Sequence, residues 1–164
     1  MCCKLIGVAQ LNKPRQRMCG HCAVGEGCRI YESRPGACRE FHCRWLTDAQ
    51  IADHWEPRRS RMVLVCYGDP MQVAIHVDAG RPDAWRKPPY SDQIRSWVAN
   101  AARLGGQVMV YGARDMTLLR PEGEYNLGPV SGDKHVLVQP RAGGTGWEAI
   151  ELEADDPRIK GAGK

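Results

Sequence analysis

MVLVCYGDPMQVAIHV, residues 62–77, divides into two β-rich runs around Gly68-Asp69-Pro70. Valine, isoleucine and tyrosine suit a pleated, half-buried surface, and a Gly-Asp-Pro break between two such runs predicts a hairpin. In the second run Met71, Val73, Ile75 and Val77 alternate with Gln72, Ala74 and His76, as a strand with two distinct faces requires. Downstream, Pro82, Pro88 and Pro89 mark a loop over residues 78–90. Ser91 then caps a helix running to Leu104, with Ile94, Trp97, Val98, Ala101 and Ala102 on one stripe and Gly105-Gly106 as its stop. Strands are expected at 107–112, 116–120, 134–139 and 147–153, each bounded by Gly, Pro or Asp. Two strands, one helix and a run of strands predict an α+β body over residues 62–153, an antiparallel sheet with a helix packed on it. A loose polar tail is expected over 154–164.

Upstream of the hairpin, Arg58, Arg59 and Arg61 form a basic link. Thr47-Asp48-Ala49-Gln50 matches a capping box, and the helix it would start holds Ile51, Ala52 and Trp55 before Pro57 ends it. Before that lies CGHCAVGEGCRIYESRPGACREFHCRWL, residues 19–46, with the spacing C-x2-C-x5-C-x9-C-x4-C at Cys19, Cys22, Cys28, Cys38 and Cys43. Its glycines and Pro35 predict turns more than regular structure, with a short helical piece over 38–46 placing Phe41 and Trp45 on one face. Residues 1–18 have no regular period and form an irregular arm whose Cys2-Cys3 pair joins the other sulfurs if the arm folds back. Residues 1–61 therefore make a loop-dominated cysteine-rich module.

Eight cysteines in 164 residues fall short of a secreted disulfide scaffold. In a reducing compartment such cysteines bind metal or do redox work. No basic-then-apolar segment opens the chain, and no apolar run nears the ~18 residues of a membrane span, so the expectation is a cytoplasmic protein without a membrane partner. The metal ligands expected are Cys2, Cys3, Cys19, Cys22, Cys28, Cys38 and Cys43. A C-x-x-C pair supplies half of a tetrahedral zinc site, and four thiolates also hold iron–sulfur clusters, so the cofactor is zinc or iron, an iron–sulfur cluster included. Sulfur-rich ligation with little histidine favours soft, thiolate-loving ions over magnesium, calcium and manganese. His21 and His42 are minor alternatives as ligands, and Cys66, within a β-run, is expected to pack in the core.

Residues 1–66 carry 11 Lys/Arg against 6 Asp/Glu, the remainder 12 against 13. Because Arg29, Arg39 and Arg44 each follow a cysteine, they offset thiolate charge and argue against a nucleic-acid face. His76 and Asp78, two apart on one strand, are expected to form a surface pair. Gly105-Gly106 and Gly143-Gly144-Thr145-Gly146 lack the context of a phosphate loop and read as turns. A thioredoxin-type role for Cys19-x-x-Cys22 needs a helix that Gly25 and Gly27 oppose. No acid–base constellation or other catalytic residue stands out.

Cys28-Arg29-Ile30-Tyr31, Arg34-Pro35 and Cys38-Arg39-x-Phe41-x-Cys43 together resemble the signature of the zinc- or iron-chelating cysteine-cluster domain family, widespread in bacteria and named for a C-x-x-C-x-x-C-C opening. Cys2-Cys3 resembles the final doublet of that opening. The resemblance covers residues 1–46 and implies a metal-chelating module. It implies neither the metal nor a reaction, which leaves two hypotheses, a metal-binding protein without catalysis and an iron–sulfur or iron-dependent redox or transfer enzyme.

Overall fold

The computed structural model describes residues 1–67, 72–129, 135–153 and 156–157. The N-terminal third is built from short pieces: α1 (Cys2–Leu5), β1 (Cys22–Ala23), β2 (Gly27–Cys28), α2 (Gly36–Glu40), α3 (Arg44–Thr47) and α4 (Pro57–Ser60). The remainder holds β3 (Met62–Tyr67), β4 (Gln72–Val77), α5 (Tyr90–Leu104), β5 (Gln107–Tyr111), β6 (Met116–Arg120), β7 (Gly123–Asn126), β8 (His135–Pro140) and β9 (Trp147–Leu152). The fold is α+β. β3 to β7 form one five-stranded sheet in sequence order, while β1–β2 and β8–β9 are separate two-stranded ribbons.

β3 and β4 pair antiparallel, with Val63 opposite His76 and Val65 opposite Ala74. The turn expected at Gly68-Asp69-Pro70, together with Met71, lies outside the described residues, as does most of the expected tail. β4 and β5 pair parallel, so the sheet is mixed. The cause is the intervening helix: α5 carries the chain back to the starting end of the sheet, so β5 runs in the direction of β4. β7, unforeseen, extends the sheet beyond β6.

Alternation along the strands gives the sheet two buried faces. Met62, Leu64, Val73, Ile75, Val77, Val108, Val110 and Leu119 point to one side, where Ile94, Val98 and Ala101 of α5 meet them together with Trp55 and Trp85. Each such side chain taken from water contributes about 1.5–3 kcal/mol. Gly105 ends α5 in the left-handed conformation (φ 76°), and its N–H donates to Ala101 O. The opposite face is covered by two bodies: Leu5 and Cys43 pack on Val63, and the β8–β9 ribbon packs on Met109, Met116 and Leu118. No helix among the described residues is long and apolar enough to cross a membrane.

The helix expected from Thr47 does not form. Thr47 closes α3, and the Asp48 carboxylate accepts the Gln50 N–H (2.9 Å) and pairs with Arg44 (2.9 Å). Those local bonds use the side chain that a continuing helix would have left free. Pro57 opens α4 instead of closing a helix, its missing N–H costing nothing at the first helical position. The helical piece over 38–46 is broken at Phe41–Cys43 into α2 and α3, yet Phe41 and Trp45 still share the cluster around Leu5.

The end of β4 is where the N-terminal third is tied to the sheet. Asp78 is 0% exposed and pairs with Lys4 (2.7 Å) and Arg61 (2.6 Å), so the expected surface pair with His76 is corrected. Burial alone would raise the Asp78 pKa. The bonds from Lys4 and the Gly80 N–H, with the charges of Lys4 and Arg61, outweigh it and hold the carboxyl below its usual range. His76 stacks on Tyr111 (4.8 Å between centroids) and is held neutral, its pKa lowered to about 3 by burial and then by Arg15. Asp78→Asn is expected to cost about 2–3 kcal/mol at neutral pH, because it leaves two partly buried cations unmatched. Since the folded pKa is depressed, the carboxylate's contribution is complete above the unfolded value of about 3.9 and fades as pH falls through the folded one. Urea melts of the two proteins at pH 7 and pH 3 check this: the gap should shrink in acid, and an unchanged gap would refute the assignment.

Candidate functional site

α1 brings the first two sulfurs into place because its next residues are anchored. Leu5 is 0% exposed beneath Cys43 and Val63, and Lys4 reaches Asp78. The chain then folds into a tight loop in which Val8 and Lys13 exchange backbone bonds (2.8 and 3.1 Å) around a left-handed Asn12. Gln16, also left-handed (φ 62°), spends its amide on the sheet: Nε2 donates to Val77 O (2.7 Å) and Oε1 accepts the Ala79 N–H (3.0 Å). The N-terminal segment is thus folded back, and the Cys19 N–H donates to Cys3 O (2.9 Å).

The C-x-x-C turn is closed by the Cys22 N–H donating to Cys19 O (3.0 Å). β1 and β2 place Cys22 directly opposite Cys28. The neighbouring Arg29 N–H donates to His21 O (2.8 Å), and because bonded and non-bonded pairs alternate, Cys22 and Cys28 occupy a non-hydrogen-bonded pair, where side chains approach closest. Pro35 starts α2, and its carbonyl accepts the Cys38 N–H (2.9 Å), delivering the fourth sulfur position as the Arg34-Pro35-Gly36 turn predicts.

Cys2, Cys3, Cys19, Cys28 and Cys38 line one cavity of about 470 Å³. Its apolar wall includes Ile6, Val8, Leu11, Ile30 and Phe41. Cys22 sits beside Cys3, within hydrogen-bonding reach of its thiol. Cys43 does not line the cavity; it is 6% exposed in the hydrophobic cluster with Leu5 and Val63. His21 and His42 are exposed and do not line it, and the His42 ring is taken up by Glu40 O (2.8 Å). Cys66 packs against the main core, as expected.

The thiols are electrostatically unequal. Cys2 is pulled down to about 6, first by the hydrogen bond from Cys3, then by the charge of the terminal amino group and by nearby backbone N–H groups, with burial opposing. Cys3 moves the other way, raised by that same bond, by burial and by the charges of Cys2 and Cys22. Cys38 is raised by burial and by Cys19, Cys28 and Cys2, with Arg34 opposing. A cation entering the cavity would displace the protons these thiols retain, which is the proton release that accompanies metal ligation.

Two further side chains stand at the cavity, of which the sequence singled out Arg34, in the Arg34-Pro35 pair, and not Lys13. Lys13 lies in its wall, buried, with Nζ donating to the carbonyls of Lys4, Ile6 and Pro14. Arg34 stacks over the Tyr31 ring at 3.9 Å. Neither belongs to a periodic pattern, and Lys13 stands in a polar stretch with nothing to single it out. A larger cavity of about 830 Å³ lies between α5 and the β6–β7 turn. Its arginines 86, 95 and 120 are each matched by a carboxylate, Glu124, Asp92 and Glu122, so it offers no unmatched charge to a ligand.

Among the described residues, no group of three or more Cys, His, Asp or Glu side chains is arranged so that it could hold a metal ion as it stands. Compared with protein-family models, with curated proteins and with solved structures, the chain matches none.

Proposed function

We propose that this chain is a metal-binding protein that chelates zinc or iron through cysteine thiolates, residues 1–61 forming the chelating module. The observation that carries the reading is that five cysteines from four separate segments, Cys2-Cys3, Cys19, Cys28 and Cys38, share one cavity. Cys22, beside Cys3 and opposite Cys28, completes the set from which ligands are drawn. Thiols brought together from distant positions repel as they ionise, and a thiophilic cation is the partner that turns that repulsion into binding. The family resemblance of residues 1–46 is part of the same reading, as is a place in the reducing cytoplasm, where free thiols persist. The metal ion is the only partner proposed, and neither a membrane nor a nucleic acid belongs to the reading.

The size of the cavity favours a second reading, an iron–sulfur or iron-dependent redox or transfer enzyme. Four sulfurs at about 2.3 Å from one zinc stand within about 4 Å of one another and leave no space between them. A cavity of about 470 Å³ with five cysteines in its lining has space for a multi-iron cluster. Purification without oxygen, followed by elemental analysis, a visible spectrum and an assay for acid-labile sulfide, separates the two. A colourless protein with one zinc per chain is the outcome of the first reading, and a brown protein with iron and sulfide that of the second. A chain that stays metal-free after anaerobic incubation with either ion would sink both.

A further inference from the structure

We propose that Lys13 is the fixed counter-charge of the thiolate centre, a positioning residue that stabilises its metal-loaded, anionic state; this rests on the metal-binding reading above. An ammonium has three N–H donors and no acceptor. In Lys13 these donors are aimed at three carbonyls, those of Lys4 (3.3 Å), Pro14 (3.1 Å) and Ile6. The backbone of Lys13 is itself clamped to Val8 in both directions, so the charge is held in place and does not sweep through solvent.

Carbonyls satisfy hydrogen bonds but carry no net charge, and a buried cation without an opposing charge is costly. Lys13 is 7% exposed, and no carboxylate pairs with it among the described residues. The contrast with Lys4 is direct, since the Lys4 ammonium is matched by Asp78. Lys13 shares its cavity wall with the thiols of Cys2, Cys3, Cys19, Cys28 and Cys38, and Cys19, Cys3, Cys2 and Cys38 are the groups whose ionisation would offset the effect of its burial. With these protonated the lysine is an unmatched buried charge. With them ionised around a cation the lysine is matched. The fold therefore holds a buried positive charge in readiness for a centre of net negative charge, as several thiolates around one divalent ion would be.

A purely structural role, clipping three carbonyls together, makes a different prediction, and Lys13→Gln separates the two because glutamine keeps amide donors but not the charge. The reduced, metal-free wild type, Lys13→Gln and Lys13→Arg are titrated with zinc ion alone against a colorimetric chelator, and each metal-free protein is melted. The counter-charge role predicts about 10–100-fold weaker zinc binding in Lys13→Gln, near-wild-type binding in Lys13→Arg, and a metal-free melting temperature of Lys13→Gln equal to or above that of the wild type. Equal zinc affinity in wild type and Lys13→Gln would overturn the proposal. So would a lowered metal-free melting temperature in Lys13→Gln, which is the mark of a clip. Zinc binding by none of the three proteins, wild type included, would instead defeat the metal-binding reading itself.

Discussion

A chain carrying Cys28→Ser and Cys38→Ser together is expected to be purified with at least a tenfold lower metal content than the wild type, while Cys43→Ala keeps its metal. Both replaced sulfurs line the cavity, one delivered by β2 and the other by the first turn of α2, so neither can stand in for the other by a local shift. Loss of a residue that merely supports a ligand already costs about 10–100-fold in affinity, and loss of two direct ligands should exceed that. Cys43 carries the same atom into a different setting, under Leu5 and against Val63, where it acts as a small apolar side chain. Its replacement should cost about 1 kcal/mol in stability. Elemental analysis and thermal melts on the two variants check both halves. Metal lost from Cys43→Ala and kept by the double variant would reverse the assignment of the ligands.

Trp55→Ala is expected to be the most destabilising single truncation outside the cysteines, costing about 3–5 kcal/mol. Trp55 is 1% exposed, donates from Nε1 to Gln93 Oε1 (2.6 Å) and lies against Tyr90 and Trp97 at centroid distances of 5.0 and 4.9 Å. It joins the segment leaving the cysteine-rich third to α5 and to the sheet face that holds Leu64 and Ile75. Against a total stability of about 5–15 kcal/mol, such a loss leaves little in reserve. Trp55→Phe keeps most of the bulk and loses the bond to Gln93, so it should cost about 1 kcal/mol for that bond plus a smaller packing term. Urea denaturation reads both; equal costs for the two variants would show that the indole N–H, not the buried area, is what matters there.

How far the chain could be read from residues alone depended on whether a signal was local. Val73, Ile75 and Val77 announce their face through a two-residue period, and Ile94, Val98 and Ala101 theirs through a helical one, so the sheet–helix sandwich was legible. The direction of β5 was not, because it depends on where α5 returns the chain, a property of the connection and not of either strand. The capping box at Thr47 misled because Asp48 had a stronger local use in binding the Gln50 N–H. For the site, the crowding of cysteines was visible at once and their spacing suggested shared work. What was hidden is the selection among them: Cys43 is drawn into the apolar cluster, while Cys2 and Cys3 reach the cavity through the burial of Leu5 and the pairing of Lys4 with Asp78, 74 residues away. Lys13 had no local signal, since its burial follows from a loop closed by Val8.

The ties that seat the cysteine-bearing segment all reach forward along the chain. Lys4 needs Asp78, 74 residues later, and Arg15 donates to Gly112 O, 97 residues later. At a synthesis rate of about 5–20 residues per second, on the order of 5–20 s separate the making of Arg15 from the making of its acceptor. For most of that interval the stretch that lines the cavity, residues 2–41, is already made but lacks its seat on the sheet. An ion or an oxidant that finds the nascent chain then meets thiols whose segment is not yet tied to the sheet. On the metal-binding reading, native loading of the centre would follow completion of the sheet, although its cysteines are made long before the platform that seats them.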